Sequence, residues 1–246
     1  MEFPSLDPKT IALLLDVDGT LIDIKPSPSE VHVSDELRRL LQQLSQQLGG
    51  ALALVSGRPI ADLDRLFSPL RLPTIGGHGA EMRLHDGKVT RGVDPLPQDL
   101  RRRLAGDAPP GIIVEDKGYS LALHYRNVPQ HEQHLRASID AGRAAFPGEL
   151  TEVQSGKFVF EVKRPNATKG EAVRALMTQP PFAERRPVFI GDDVTDESVF
   201  AILPALKGLG FSVGRHFSGL AGIFDSPSQV RRALKDLATR SQGMPR

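Results

Sequence analysis

The chain of 246 residues carries 31 Lys and Arg against 30 Asp and Glu, a formal net charge of +1, and contains no cysteine. The lack of cysteine excludes disulfides, thiolate metal sites, iron–sulfur clusters and a thiol nucleophile. Balanced charge, two Tyr and no Trp argue against a dedicated nucleic-acid binder, which needs a basic face or stacking platforms.

The first stretch, through Ile11-Ala-Leu-Leu-Leu15, lacks a basic leader and stops at Asp16, so it reads as neither a signal peptide nor a membrane span. No other segment approaches 18 apolar residues, and the expectation is a cytoplasmic protein that engages no membrane. Three apolar runs share one grammar. Ile11 to Leu15 runs into Asp16-Val-Asp18-Gly-Thr20. Ala51 to Val55 runs into Ser56-Gly57-Arg58, and Pro187 to Ile190 into Gly191-Asp192-Asp193. Continuous runs suit strands buried on both faces, and polar residues at their C-terminal ends mark where open α/β sheets place ligands.

Helices fit the segments between. Ser34 is a plausible N-cap before a stripe of Leu37, Leu40, Leu41, Leu44 and Leu48, closed by Gly49-Gly50. Pro59 suits the first turn of a helix with Ile60, Leu63 and Phe67. Thr168 to Glu171 reads as a capping box, and Val230, Leu234 and Leu237 form a last stripe. In the middle, Asp86-Gly87 is a hairpin signal after Met82. Strands are expected over 112–117 and 120–126, a helix over about 130–145, then strands over 150–154 and 157–163. The predicted architecture is α/β: a Rossmann-like parallel sheet core with helices on both faces, formed by 1–81 and 167–246. A smaller α+β cap is inserted over 82–166.

Asp16 and Asp18, two apart in an extended segment, can present both carboxylates on one side of the strand end. One could act as nucleophile while the other handles protons, and nearby carboxylates also make a Mg²⁺ site; the plain alternative is a solvated acidic turn. Asp192, Asp193 and Asp196 add a second acidic cluster whose repulsion a divalent cation would relieve. Oxygen ligands without cysteine point to Mg²⁺ rather than zinc. Asp193 and Asp196 could instead cap the following helix. Lys169, beside the positive end of a helix, needs an anionic partner, and Ser56 with Gly57 can offer a hydroxyl and an N–H to a phosphate oxygen. Arg58 could contact phosphate or pair with an acid. His131 and His134 read as a solvated helix face, and Arg101 to Arg103 as a helix exterior.

The ordered set Asp16-x-Asp18-Gly-Thr20, Ser56, Lys169 and Gly191-Asp-Asp-x-Thr-Asp196 resembles the haloacid-dehalogenase-like phosphatase superfamily. The resemblance implies attack of Asp16 on phosphorus, proton transfer by Asp18, and Ser56 and Lys169 on the phosphoryl oxygens. It implies Mg²⁺ on Asp16, the Asp18 backbone carbonyl and Asp192, with Asp193 and Asp196 behind them. An α+β insert between the Ser and Lys motifs marks the sugar-phosphatase type. Leu54 to Arg58, Gly76 to Glu81, Glu115-Asp-Lys117 running into His124-Tyr-Arg126, and Val159-Phe-Glu161 before Lys169-Gly170 are together similar to trehalose-6-phosphate phosphatases. That similarity implies that Glu115, Lys117 and Glu161 bind sugar hydroxyls. By spacing, Glu115 and Lys117 share one strand face, and Glu161 shares a face with Lys157 and Lys163; a cross-strand salt-bridge ladder is the alternative. The implied function is Mg²⁺-dependent hydrolysis of trehalose 6-phosphate through an aspartyl-phosphate. The rivals are a phosphatase of another sugar phosphate, a phosphomutase-like phosphotransferase, and a non-catalytic sugar-phosphate sensor. A small-molecule substrate is the only partner implied, and a monomer is compatible with the sequence.

Overall fold

The computed structural model describes residues 3, 6–24, 31–156, 158–165 and 168–240. The chain divides into two compact units, one of Met1–Arg91 with Thr168–Arg246 and one of Gly92–Ala167.

The first unit is built on an eight-stranded sheet. In chain order its strands are β1 (Ile11–Leu15), β2 (Leu52–Val55), β3 (Thr74–Gly76), β4 (Glu81–Arg83), β5 (Val89–Arg91), β10 (Arg186–Gly191), β11 (Leu209–Val213) and β12 (Gly222–Phe224). Their spatial order is β12-β11-β10-β1-β2-β3-β4-β5. Pairing is parallel from β12 through β3 and antiparallel across β3-β4-β5, so the sheet is mixed rather than wholly parallel. Every residue of β1 and β2 is buried, as the continuous apolar runs require of strands covered on both faces.

The helices follow the sequence signals closely. Ser34 Oγ accepts from Leu37 N (3.2 Å) at the start of α1 (Asp35–Gln47), which buries Leu37, Leu41 and Leu44. Burying each such leucine contributes roughly 1.5–3 kcal/mol. Pro59 stands just before α2 (Ile60–Phe67). Thr168 Oγ1 accepts from Glu171 N (3.2 Å) at the start of α5 (Lys169–Leu176). α1 packs against α7 (Pro227–Arg240), and α5 against the short α6 (Glu197–Phe200).

The second unit has its own sheet, ordered β6 (Ile113–Asp116), β7 (Ser120–His124), β9 (Val159–Lys163), β8 (Glu152–Gly156), all antiparallel. Leu121, Leu123, Phe160 and Val162 share a core with Leu100 and Leu104 of α3 (Gln98–Gly106) and with Leu135 and Ile139 of α4 (Glu132–Ala144). α3 joins the expected strand–strand–helix–strand–strand order at its front.

The expected border after residue 81 is displaced. β4 and β5, joined by the Asp86-Gly87 turn with Gly87 at φ +84°, extend the eight-stranded sheet through the pairing of Thr74 with Arg83. The cap-like unit therefore starts at Gly92, not at residue 82. Arg83 ties the hairpin down: its Nη1 meets the Asp64 carboxylate of α2 at 2.6 and 2.8 Å, and its Nε and Nη2 donate to Leu72 O.

Candidate active site

The first unit carries its acidic and basic motifs at the C-terminal edge of its sheet. β1 lies between β2 and β10, so the chain reverses its direction of build beside β1, and open α/β sheets bind ligands at such a point. Leu15 pairs with Ile190 on one side and Leu54 on the other. That register sets Asp16 beside Gly191-Asp192 and close to Ser56, since Asp16 N donates to Ile190 O (2.9 Å) and Ser56 N to Ile75 O (2.9 Å).

Lys169 stands at the start of α5 with only 3% of its surface exposed. Its Nζ donates to Asp16 Oδ1 and to Asp196 Oδ1, both at 2.7 Å. The anionic partner that a lysine at a helix N-terminus requires is thus a pair of buried carboxylates. Burial alone would push Lys169 down, but Asp16 and Asp196 hold it above the ordinary lysine value. Asp196 is fully buried, and its Oδ2 accepts the backbone N–H groups of Asp192 (2.9 Å) and Asp193 (3.0 Å). Asp193 closes a capping box with Asp196, as the capping alternative for this pair expects. Asp193 is the N-cap of the 3₁₀ turn Val194–Asp196, and Asp196, the turn's last residue, accepts the Asp193 N–H and also holds Lys169. Asp193 itself points to Arg215 (3.9 Å) rather than into the cluster.

Carboxylate oxygens of Asp16, Asp192 and Asp196 lie within 4.8 Å of one another, so the three could hold a metal ion. Thr20, fully buried, donates its hydroxyl to Asp192 Oδ1 (3.1 Å), an orienting contact that the sequence motif contains but does not by itself assign. Gly19, at φ +78°, makes the approach possible: a Cβ there would stand 2.2 Å from Asp192 Oδ2. Three carboxylates around one ammonium leave an unbalanced negative charge in a buried place, the condition a divalent cation relieves. The carboxyls show the strain. Burial drives Asp16 well above the ordinary carboxylate range against the pull of Lys169, and burial with Asp196 nearby pushes Asp192 up to about 6.

A raised carboxyl value in the folded state means that the folded protein binds a proton the unfolded chain would release. Its stabilising share is present at acid pH and is lost as pH rises through about 6. In chelator, stability is therefore expected to fall between pH 5 and pH 7, by about 1 kcal/mol for Asp192 alone, and the melting temperature with it. Millimolar Mg²⁺ should reverse that fall. Melting curves at the two pH values, with EDTA and with Mg²⁺, check this, and a metal-free protein that gains stability over the interval would refute it.

Asp18 is not in the carboxylate cluster. Its side chain receives Arg58 on both oxygens, Nε to Oδ2 at 2.6 Å and Nη2 to Oδ1 at 2.7 Å. Arg58 thus pairs with an acid, one of the two roles that its place after Ser56-Gly57 leaves open. Ser56 Oγ accepts Arg58 N (3.1 Å), and the His78 ring lies so close to Gly57 that a Cβ there would meet it at 2.3 Å. His78 N donates to Ser56 O (3.1 Å) from a left-handed backbone at φ +56°. The three residues of the Ser56-Gly57-Arg58 turn are thereby fixed among themselves and against the loop after β3.

In the second unit, Lys117 Nζ (3.2 Å) and Ser120 Oγ (2.6 Å) both donate to Glu161 Oε1. Glu115 pairs with His124 (3.3 Å), whose hydrogen bond holds the carboxyl below its ordinary value. Glu115, Ala122, Glu161 and Gln154 form one cross-strand row, and Lys163 reaches Glu152 (3.2 Å) in the next. The structure thus shows the expected charged face, and cross-strand ion pairing is part of it. Ser120 and His124 are the partners that spacing alone does not assign. Lys157, expected on the same face, lies outside the described residues.

Fold and carboxylate cluster together have the form of a haloacid-dehalogenase-like phosphatase. The sequence profile of the family described as trehalose-phosphatase matches residues 14–222. A probable trehalose-phosphate phosphatase of Sinorhizobium fredii is 43% identical over 216 residues, covering 85% of this chain and 80% of that protein. The trehalose-6-phosphate phosphatase of Escherichia coli is 42% identical over 217 residues, covering 87% and 80%. The chain belongs to the trehalose-phosphatase family. Among solved structures, the C-terminal domain of C. albicans trehalose-6-phosphate phosphatase aligns with a TM-score of 0.75 over 94% of this chain and 92% of that one; at 24% identity the likeness is one of fold. No helix among the described residues is long and apolar enough to cross a membrane.

Proposed function

We propose that the protein hydrolyses trehalose 6-phosphate to trehalose and phosphate, as a cytoplasmic step of trehalose biosynthesis. The observation that carries the reading is the convergence of Asp16, Lys169, Asp192 and Asp196 at the strand ends, in a chain whose relatives bear that activity in their names.

The chemistry follows from the residues. A carboxylate oxygen of Asp16 attacks phosphorus, and the bond to the sugar oxygen breaks as that oxygen takes a proton from Asp18. Water then attacks the aspartyl-phosphate, gives its proton to Asp18, and releases phosphate and the Asp16 carboxylate. Lys169, fixed by two carboxylates, and the Ser56 hydroxyl hold phosphoryl oxygens, with the N–H of Gly57 beside them. Asp16, Asp192 and the Asp18 backbone carbonyl would hold Mg²⁺, with Asp196 as a support and Asp193 acting only through its capping box with Asp196. When bound, the ion supplies the charge that keeps Asp16 ionised and offsets the phosphate. Glu115, Lys117 and Glu161 would bind sugar hydroxyls, and a site built to hydrogen-bond those hydroxyls rejects analogues lacking them strongly.

A screen of phosphorylated sugars with and without Mg²⁺, following free phosphate, tests the reading. Trehalose 6-phosphate should lead, in a metal-dependent way. Phosphate recovered on a second sugar instead of in solution would mean a phosphotransferase, and a wide preference for another sugar would remove the substrate assignment. Glu161→Ala should lower kcat/KM for trehalose 6-phosphate by about 100-fold while p-nitrophenyl phosphate, which has no hydroxyls to bind, changes by less than about threefold. Equal losses on the two substrates would leave Glu161 a part of the sheet's ion pairing only.

A further inference from the structure

We propose that Arg58 is a positioning residue for Asp18, fixing the rotamer in which Asp18 carries its proton. The inference rests on the role given to Asp18 above and adds to it what holds the carboxylate in place.

Asp18 needs such support. Its side chain is 35% exposed, and it lies outside the cluster that holds Asp16, Asp192 and Asp196. A short carboxylate at a strand end otherwise samples several staggered rotamers, and a proton carrier is effective only in the one that reaches the leaving oxygen. The Arg58 fork grips both oxygens, and a bidentate guanidinium–carboxylate pair sets direction as well as distance. Each carboxylate oxygen keeps a second lone pair, so the grip leaves sites for the travelling proton.

Both ends of the grip are anchored. Asp18 is followed by Gly19, whose N–H donates to Ile22 O (2.8 Å) in a tight turn at φ +78°. Arg58 N donates to Ser56 Oγ, and two residues on, Ile60 N donates to Glu81 Oε1 (2.5 Å). Glu81 on β4 thus pins the start of α2, and the Arg58 backbone sits between two fixed points. The pair engages Nε and Nη2 of Arg58, so leaving-group dependence, rather than occupancy of the guanidinium, separates this role from substrate binding.

Leaving-group dependence separates the roles. A sugar alkoxide must be protonated as it departs, whereas p-nitrophenolate departs without help. In Arg58→Ala, rapid-mixing single turnovers should show release of trehalose slowed by about 30- to 100-fold with KM changed less than about threefold. The p-nitrophenolate burst should slow by less than about fivefold, and its amplitude counts folded, competent sites. Hydrolysis of the aspartyl-phosphate, which needs Asp18 with either substrate, should slow equally for both. Arg58→Lys, which keeps the charge without the fork, should recover only part of the loss.

Equal losses on both substrates with raised KM would overturn the proposal in favour of a phosphate contact. Unimpaired trehalose release in Arg58→Ala, or full recovery in Arg58→Lys, would overturn it as well. If Arg58→Ala gives no burst at all, the same comparison in Arg58→Lys decides. A wild-type protein that shows the aryl burst but does not act on trehalose 6-phosphate would strike the substrate reading alone, and the comparison would then use whichever alkyl phosphate it hydrolyses.

Discussion

Asp16→Asn releases phosphate at least about 10⁴-fold more slowly than the parent chain, because an amide oxygen is no substitute for the anionic nucleophile. The substitution is nearly isosteric, and the carbonyl oxygen of the new side chain can still accept from Lys169, which now donates to Asp16 Oδ1 at 2.7 Å. Removing one of three crowded carboxylates also relieves the burial cost that drives Asp16 upward. Melting temperature in chelator should therefore hold or rise at pH 7 while turnover disappears. A collapse of both would identify a folding defect and count against the nucleophile assignment. Borohydride added during turnover provides a direct check: it should reduce the aspartyl-phosphate of the parent chain at residue 16, and give no such product in Asp16→Asn.

The strands that carry this site were legible because burial on both faces leaves a continuous apolar run, and because such runs here end abruptly at Asp16, Ser56 and Asp192. Helix starts were legible for a local reason: Ser34 and Thr168 bond to N–H groups three residues on, within reach of any reading of the chain. What escaped is non-local. Arg58 and Asp18 are forty positions apart, and no spacing rule says whether an arginine after Ser-Gly turns to an acid or to a phosphate. The double acceptance of the Asp192 and Asp193 N–H groups by Asp196 depends on a turn whose geometry a run of acidic residues does not disclose. The β4-β5 hairpin was legible as a hairpin, but its alternating, half-exposed strands could extend either sheet. The pairing of β4 with β3, with the buried Arg83 anchored to Asp64 and Leu72, assigns it to the first. In the second unit, the spacing leaves Glu161 open as a ladder member or as a ligand, and its contacts with Ser120 and Lys117 are the cross-strand pairing that spacing alone does not assign.

Lys169→Met should fail in both activity and stability, and the two failures have a common origin. The ammonium is the only cation donating to Asp16 and Asp196 among the described residues, and all three groups are buried. Removing one member of a buried ion cluster leaves uncompensated charge and costs roughly 3–5 kcal/mol, more than the pairing itself contributes. Asp16 then loses the neighbour that lowers it, so its affinity for a proton rises further. By the linkage sign, stability is retained at acid pH and lost as pH rises, and the variant should melt closest to the parent chain near pH 5 and furthest from it above pH 7. Mg²⁺ should narrow the gap by supplying charge to the same carboxylates, without restoring the phosphoryl contact, so kcat should remain at least about 10³-fold low at saturating metal. The double variant Lys169→Met/Asp196→Asn isolates the electrostatic part. Neutralising the second carboxylate should return stability towards the parent value at pH 7 while turnover stays lost. A double variant no more stable than Lys169→Met would show that the lysine holds the site through packing of its methylene stem rather than through charge.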